Sequence, residues 1–135
     1  MSRGLRNNNP LNIRLSADPY KGKTKGSDKA FETFESMAYG YRAAFVILGT
    51  YLSKGFNTIE KIISRWAPPE DNNDTAAYIA TVEKQSGVPR DKVLNAYSGN
   101  EYLRIVAAMS AVENGVKANM NDVIAGFALQ SKLKR

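Results

Sequence analysis

The chain has 135 residues and a formal net charge of +6, with 19 Lys and Arg against 13 Asp and Glu. This length suits one domain, spanning residues 1–135, with a single core. The chain has neither Cys nor His, which excludes disulfides, cysteine and Ser-His-Asp catalysis, and nearly all zinc and haem sites. We therefore expect no cofactor and no metal. The positive charge predicts anionic partners.

The first third of the chain predicts loops and a small hairpin. Residues 1–30 are rich in Asn, Gly, Lys, Pro and Ser and show little periodicity. Strand candidates are residues 12–15 and 30–34, with residues 21–28 as the tip, because the second candidate alternates apolar and polar residues. Ser36 is a good N-cap, and apolar residues at helical spacing then predict a buried helix over residues 37–52.

The remaining two thirds predict helices. Asn57 or Thr58 caps a short helix that runs through Trp66 and is stopped by Pro68 and Pro69. Further helices are predicted over residues 75–86, 90–97, 101–113 and 120–132. The predicted fold class is mostly α (α+β), a helical domain with a small N-terminal β-hairpin.

Glu113 is the candidate catalytic acid, because it projects within the apolar stripe of a predicted helix. The Asn114-Gly115 pair predicts that the helix stops there, so Glu113 lies in its last turn. Burial and the negative end of the helix macrodipole both favour a protonated carboxyl group, as a general acid requires near neutral pH. The alternative is a glutamate whose methylenes pack while its carboxylate reaches solvent.

Several short islands resemble one known family. Residues 8–14 read N-N-P-L-N-I-R, residues 31–36 read F-E-T-F-E-S, and residues 66–69 read W-A-P-P. They resemble the middle of a lysozyme-superfamily muramidase or glucosaminidase of the flagellar and autolysin type. In that family a helix ending A-x-x-E-S-G precedes these islands, whereas residues 107–115, A-A-M-S-A-V-E-N-G, follow them here.

This rotated order resembles a circularly permuted lysozyme-like domain, as in small phage virion proteins that open R-G-x-R-N-N-N-P-x-N-I-R. Permutation leaves a core intact because the termini of a domain usually lie at its surface and close together. The resemblance implies cleavage of the glycan strands of cell-wall peptidoglycan, with Glu113 as general acid. Hydrolysis and lytic transglycosylation both remain open.

The resemblance also implies the other site residues. Asp28 is the nearest candidate for a second catalytic carboxylate, with Asp18 and Glu32 behind it, although Asp28 also fits a solvated hairpin tip. Amide, guanidinium and ring groups would bind the sugar. These candidates for substrate binding are Asn9, Asn12, Arg14, Trp66, Tyr78 and Asn114. Turn-forming Asn residues and a core Trp66 are the competing interpretations.

A second function stays open, namely a non-catalytic phage virion structural or cell-wall-binding protein on the same fold. We expect no nucleic-acid partner, because the basic residues are scattered and do not alternate with aromatic ones. We expect a monomer without membrane insertion, since no apolar stretch could span a bilayer or serve as a secretory signal. The protein would be made in the cytoplasm and act in the periplasm or cell wall after delivery by a virion, a holin or a secretion device.

Overall fold

Six α-helices and one short hairpin make up the fold in a computed structural model that describes residues 1–95 and 98–132. This confirms the predicted mostly α class with a small β-hairpin. Within those residues, no helix is both long and apolar enough to cross a membrane. The helices are α1 Arg3–Arg6, α2 Met37–Ser53, α3 Ile59–Trp66, α4 Thr75–Ser86, α5 Gly99–Asn114 and α6 Met120–Lys132; a 3-10 turn covers Pro69–Asp71, and the strands are β1 Lys23–Thr24 and β2 Thr33–Phe34.

The hairpin pairs differently from the sequence prediction. β1 and β2 are antiparallel, with Lys23 opposite Phe34. The predicted pairing of residues 12–15 with 30–34 is reduced to a single bridge between Arg14 and Phe31. A longer ladder does not form because Asn12 has a left-handed backbone with φ of 53°, which bends the chain out of extended geometry at the start of this segment.

Buried side chains of all the helices from α2 to α6 contribute to the core. Phe45 of α2 meets the rings of Tyr102 and Phe127 edge to face, with centroid separations of 5.4 and 5.1 Å. The Tyr41 hydroxyl and the Ser110 hydroxyl form a buried hydrogen bond of 2.8 Å between α2 and α5. Aromatic packing and this one polar link fix how the two long helices sit against each other.

Helix α4 runs antiparallel to α5, which sets up the functional site. At one end, Arg104 Nε of α5 donates to the Ser86 carbonyl of α4 at 2.8 Å. At the other end, the Tyr78 hydroxyl near the start of α4 donates to Glu113 in the last turn of α5 at 2.9 Å. The first turns of α4 therefore lie beside the last turn of α5.

The helix predicted over residues 90–97 is wrong for residues 90–95, which are not helical, while residues 96–97 lie outside the described part of the chain. The backbone of this segment bonds to other elements instead of to itself. Leu94 N donates to the Asn57 carbonyl at 2.8 Å, and Glu60 N donates to the Arg90 carbonyl at 3.2 Å. These contacts join the segment to the start of α3 in place of a helical ladder.

The N-terminal segment packs against the far end of α5. The Ser2 hydroxyl donates to Asn114 Oδ1 at 2.7 Å across 112 residues of sequence. In the resembled muramidases, the helix ending A-x-x-E-S-G is followed by the segment that stands at the N-terminus of this chain. The contact between Ser2 and Asn114 is compatible with that rotated order. The permuted lysozyme-like origin itself stays a prediction.

Gly126 lets α6 lie directly on α2, and replacing it with Ala should destabilise the protein. A Cβ at this position would be 2.5 Å from Tyr41 Cβ and 2.8 Å from the Ala38 carbonyl oxygen. We expect Gly126→Ala to lower the free energy of unfolding by about 1–3 kcal/mol in urea titrations. The matched control is Gly49→Ala in the interior of α2, where nothing lies within 4 Å. That change should raise stability by up to about 1 kcal/mol, and equal effects at both glycines would contradict the packing described.

Candidate functional site

Glu113 lies in the last turn of α5, half-buried at the edge of the core. The helix ends at Gly115, whose backbone is left-handed with φ of 73° and whose N–H donates to the Ala111 carbonyl at 2.8 Å. Glycine adopts this geometry without steric cost, so the stop falls directly after Glu113 and Asn114. The predicted position of Glu113 at a helix end is therefore what the structure has.

Two donors from distant parts of the sequence hold the Glu113 carboxylate. Asn12 Nδ2 donates to Glu113 Oε1 at 2.8 Å, and the Tyr78 hydroxyl donates to Glu113 Oε2 at 2.9 Å. One contact comes from the N-terminal segment and the other from α4. Each oxygen of the carboxylate thus has its own neutral donor, which fixes the direction in which the carboxylate points.

Tyr78, a predicted substrate-binding residue, is a buried hydrogen-bond donor to Glu113. Its side chain is buried and its hydroxyl also lies 3.4 Å from the Met109 carbonyl oxygen. Burial raises the pKa of Tyr78 well above its ordinary value, and the neighbouring Glu113 carboxylate raises it further. The phenol therefore keeps its proton and remains a hydrogen-bond donor across the working pH range.

The N-terminal segment packs closely around the Asn12 side chain. A Cβ on Gly4 would lie 2.8 Å from Asn12 Oδ1 and 2.7 Å from Asn114 Oδ1, so only glycine fits there. Asn12 Oδ1 is buried and, among the described residues, has no hydrogen-bond partner. Asparagine also tolerates the left-handed backbone found at this position better than most residues do.

Asn114 holds the N-terminal segment in place through its side-chain amide. Its Oδ1 accepts from the Ser2 hydroxyl at 2.7 Å, while its Nδ2 donates to the carbonyl oxygens of Pro10 at 2.8 Å and Ser110 at 2.9 Å. Both hydrogens of the amide are engaged inside the protein. The structure therefore replaces the predicted substrate contact with a structural role.

Asn9 is likewise structural, because its side chain is 0% exposed. Asn9 Nδ2 donates to the carbonyl oxygens of Ile13 and Glu32, both at 2.9 Å. Its Oδ1 accepts from Ile13 N at 2.9 Å. This amide joins the N-terminal segment to the hairpin, so the predicted contact with substrate is replaced by an internal one.

Asp28 forms an ion pair with Arg3 and does not line the groove that contains Glu113. Arg3 Nε and Nη2 donate to its two oxygens at 2.6 and 2.8 Å, and Asn7 Nδ2 donates at 3.0 Å. The Arg3 guanidinium holds the pKa of Asp28 well below its usual range, helped by the Ala30 backbone N–H. The structure thus gives Asp28 an ion pair where a second catalytic carboxylate was predicted.

The two further carboxylate candidates also have other partners. Glu32 is fully buried and pairs with Lys23 Nζ at 2.9 Å, while Asp18 accepts from the Tyr20 hydroxyl at 3.2 Å. Across residues 1–95 and 98–132, no group of three or more acidic residues is placed to hold a metal ion. The hairpin therefore supplies ion pairs and hydrogen bonds that support its own fold.

Arg14 and Trp66 lie away from the groove beside Glu113. Arg14 is exposed, with its Cζ 5.3 Å from the centroid of the Phe31 ring. Trp66 is half-buried and packs edge to face on Tyr51 at 6.3 Å. The structure does not bring either of these predicted substrate contacts to Glu113.

An open groove of about 380 Å³ lies beside Glu113, between the start of α4 and the end of α5. Asp74, which directly precedes the predicted helix over residues 75–86, lines this groove together with Tyr78 and Glu113. Asp74 is exposed and caps α4, since its Oδ1 accepts from Ala77 N at 3.0 Å. The sequence does indicate Asp74, because Asp is a favoured N-cap residue directly before a predicted helix. It also precedes Tyr78 by four positions, about one helical turn.

Fold and site together define a small, mostly helical protein with one carboxylate held by neutral donors at the edge of a groove. No family model matches the chain. The chain is 44% identical over 119 residues to protein P5 of Pseudoalteromonas phage PM2, covering 84% of this chain and 72% of the phage protein. The chain therefore belongs to the family of phage PM2 protein P5.

The Tyr78 hydroxyl should contribute measurably to stability because its partner is a carboxylate. We expect Tyr78→Phe to lower the free energy of unfolding at pH 7 by about 1.5–3 kcal/mol, measured by urea titration. The matched control is Tyr102→Phe, because the buried Tyr102 hydroxyl has no partner among the described residues. That change should leave stability unchanged or raise it. Equal losses for both variants would show that the contact with Glu113 is not formed.

The ion pair of Asp28 should appear in the pH dependence of stability. Because the pKa of Asp28 is lower in the folded protein than the unfolded value of about 3.9, its contribution is present above pH 4 and lost as the pH falls below it. Between about pH 5 and about pH 2, Asp28→Asn should therefore lose less stability than the wild type does, as measured by thermal melts. Asp71→Asn, at an exposed position, is the control and should follow the wild-type profile.

Proposed function

We propose that this protein cleaves the glycan strands of bacterial peptidoglycan, with Glu113 as the general acid. The observation that carries the proposal is the geometry of Glu113, whose two oxygens accept from Asn12 and Tyr78 at the edge of an open groove. Cleavage of a glycosidic bond needs a carboxyl group that protonates the leaving oxygen. A carboxylate held in one direction beside a groove suits that task, because proton transfer requires a defined geometry.

The groove also offers a second carboxylate for the other half of the reaction. Asp74 lies on the same groove as Glu113, on the opposite helix. If Asp74 activates a water molecule, the reaction is a hydrolysis. If a hydroxyl of the sugar attacks in place of water, Glu113 alone suffices and the reaction is a lytic transglycosylation. Both routes give Glu113 the same role.

Membership in a phage family supports a cell-wall substrate, because a phage has to pass the wall of its host. We propose that the protein acts in the periplasm or cell wall, where its net charge of +6 favours the anionic polymers of the envelope. The resemblance of the N-terminal and Glu113 islands to cell-wall muramidases supports the same substrate.

A second candidate is a virion or cell-wall-binding protein on this fold without catalysis. The observation that favours it is the ion pair between Asp28 and Arg3, because the hairpin then contributes no free carboxylate of the kind the resembled family uses. In this case Glu113 would be a structural link between the N-terminal segment, α4 and α5.

Glu113→Gln should separate these candidates in a turbidity assay on purified sacculi. Loss of a general acid costs on the order of 10² to 10⁴ in rate, while glutamine keeps the size and hydrogen-bonding oxygen of the side chain. The matched control is Glu101→Gln at the other end of α5, where the carboxylate pairs with Lys92 on the surface. That variant should clear sacculi at nearly the wild-type rate.

Thermal melts of both variants test that they are folded. If wild type leaves sacculi intact from pH 4 to pH 9, or if Glu113→Gln clears them at the wild-type rate, the proposed catalysis is wrong. Sedimentation of wild type with intact sacculi would then support the second candidate.

A further inference from the structure

A second groove of about 650 Å³ runs along the outer face of α2. Its walls come from the loop before β1, from α2 and from Arg65 of α3. It shares no lining residue with the groove beside Glu113. The volume lies in the range typical of ligand sites, but no step of the proposed cleavage uses this groove.

Three cations line this groove, namely Arg42, Lys54 and Arg65. None of them forms an ion pair with a carboxylate among the residues that the structure describes. Asp18 is the one acidic residue in the described lining. Elsewhere in the described part of the chain, Arg3, Lys23, Arg90 and Lys92 pair with acidic side chains, whereas the three cations of this groove face one another across a shared cavity.

Among the three cations, Arg42 gives the strongest indication of an anion-binding site. Its Nε is buried and has no hydrogen-bond partner within the described part of the chain. A buried donor on a charged group is costly to leave unpaired, and native structures rarely do so without a functional reason. An anion that enters the groove would supply the missing acceptor.

Arg65 is already held in place for such a contact. Its guanidinium carbon lies 4.9 Å from the Phe56 ring centroid and 5.6 Å from the Tyr51 ring centroid. Cation–π contacts of this kind restrict the side chain without neutralising its charge. A cation that is fixed before binding loses less conformational entropy when the ligand arrives.

The spacing of the lining residues indicates an elongated ligand. Residues 42, 46, 50 and 54 recur at every fourth position and form one stripe along α2. At about 1.5 Å per residue, the stripe is about 18 Å long, with Arg42 at one end and Lys54 at the other. Arg65 lies against Tyr51 and so near the Lys54 end. The positive charges are therefore at the two ends, and the middle is neutral.

This distribution of charge selects among polyanions. A nucleic-acid strand carries a phosphate about every 3.4 Å, so about five phosphates would face a stripe with cations only at its ends, next to the carboxylate of Asp18. A polymer with widely spaced carboxylates fits better. Its hydroxyl and amide groups would occupy the neutral middle and donate to Asp18.

We propose that the α2 groove is a second binding site for peptidoglycan, in which Arg42 and Arg65 pair with carboxylates of the peptide stems. This inference rests on the proposed cell-wall substrate, and it assigns retention of the polymer to a surface apart from the groove of Glu113. Such a site keeps the protein on the wall between successive encounters of Glu113 with a glycosidic bond.

The test measures binding separately from cleavage, by sedimentation of the Glu113→Gln protein with purified sacculi. In that background, Arg42→Gln with Arg65→Gln should raise the apparent Kd about fivefold, as expected for two partly exposed ion pairs. Arg65→Gln alone, at an exposed position, should raise it about twofold. Lys84→Gln, an exposed cation of α4 outside both grooves, is the control and should leave the Kd unchanged.

Sacculi whose carboxyl groups have been amidated provide the second arm. The Glu113→Gln protein should bind them as weakly as the double arginine variant binds native sacculi. An unchanged Kd for the arginine variants, or undiminished binding to amidated sacculi, would overturn the proposal. So would arginine variants that lose affinity for a single-stranded oligonucleotide but not for sacculi.

Failure of this inference and failure of the proposed function give different results. If wild type clears sacculi but the arginine variants bind like their parent, only the groove proposal is wrong. If wild type never clears sacculi but groove-dependent binding remains, the catalytic proposal is wrong and this binding site stands.

Discussion

The amide of Asn114 ties the N-terminal segment to the last turn of α5, and the candidate site depends on it. One side chain accepts from Ser2 and donates to the carbonyl oxygens of Pro10 and Ser110. The bonds to Ser2 and Pro10 cross to the N-terminal segment, and each contributes about 1 kcal/mol net toward holding it on α5. Because the segment is held there, Asn12 lies within 2.8 Å of Glu113.

The hydrogen-bond donors to Glu113 are neutral, unlike those of the ion-paired carboxylates of this protein. Asp28, Glu32, Glu83 and Glu101 each face an arginine or lysine, whereas the donors to Glu113 are a neutral amide and a neutral phenol. A cation would commit the carboxylate to an ion pair. Neutral donors orient it without forming an ion pair.

The positions of α2 to α6 could be predicted from the sequence because the signals are local, whereas the one-turn helix α1 lies in a segment predicted as loop. Ser36 and Thr58 cap α2 and α3 through hydrogen bonds to the N–H groups of Tyr39 and Lys61, as their place before apolar periodic segments indicates. The helix predicted over residues 90–97 is absent from residues 90–95 because the backbone there bonds to the start of α3 and to Glu83. No local sequence pattern indicates these distant partners.

The roles of the amide side chains could be predicted only in part. Residue type indicates that an asparagine can hydrogen-bond, but the partner depends on which segments the fold brings together. Asn9 and Asn114 use their amides inside the protein, whereas Asn12 meets the candidate acid. The place of Asp74 beside Glu113 could not be predicted from the sequence, because it depends on the antiparallel packing of α4 on α5.

The most direct test of cleavage at the glycan strand is the chemistry of the products. Wild-type protein is incubated with purified sacculi, and the soluble fragments are identified by mass spectrometry. Glycosidic cleavage predicts released saccharide–peptide fragments with new reducing ends or with anhydro sugar ends, according to the route. Intact sacculi, or fragments with only peptide bonds broken, would contradict the account.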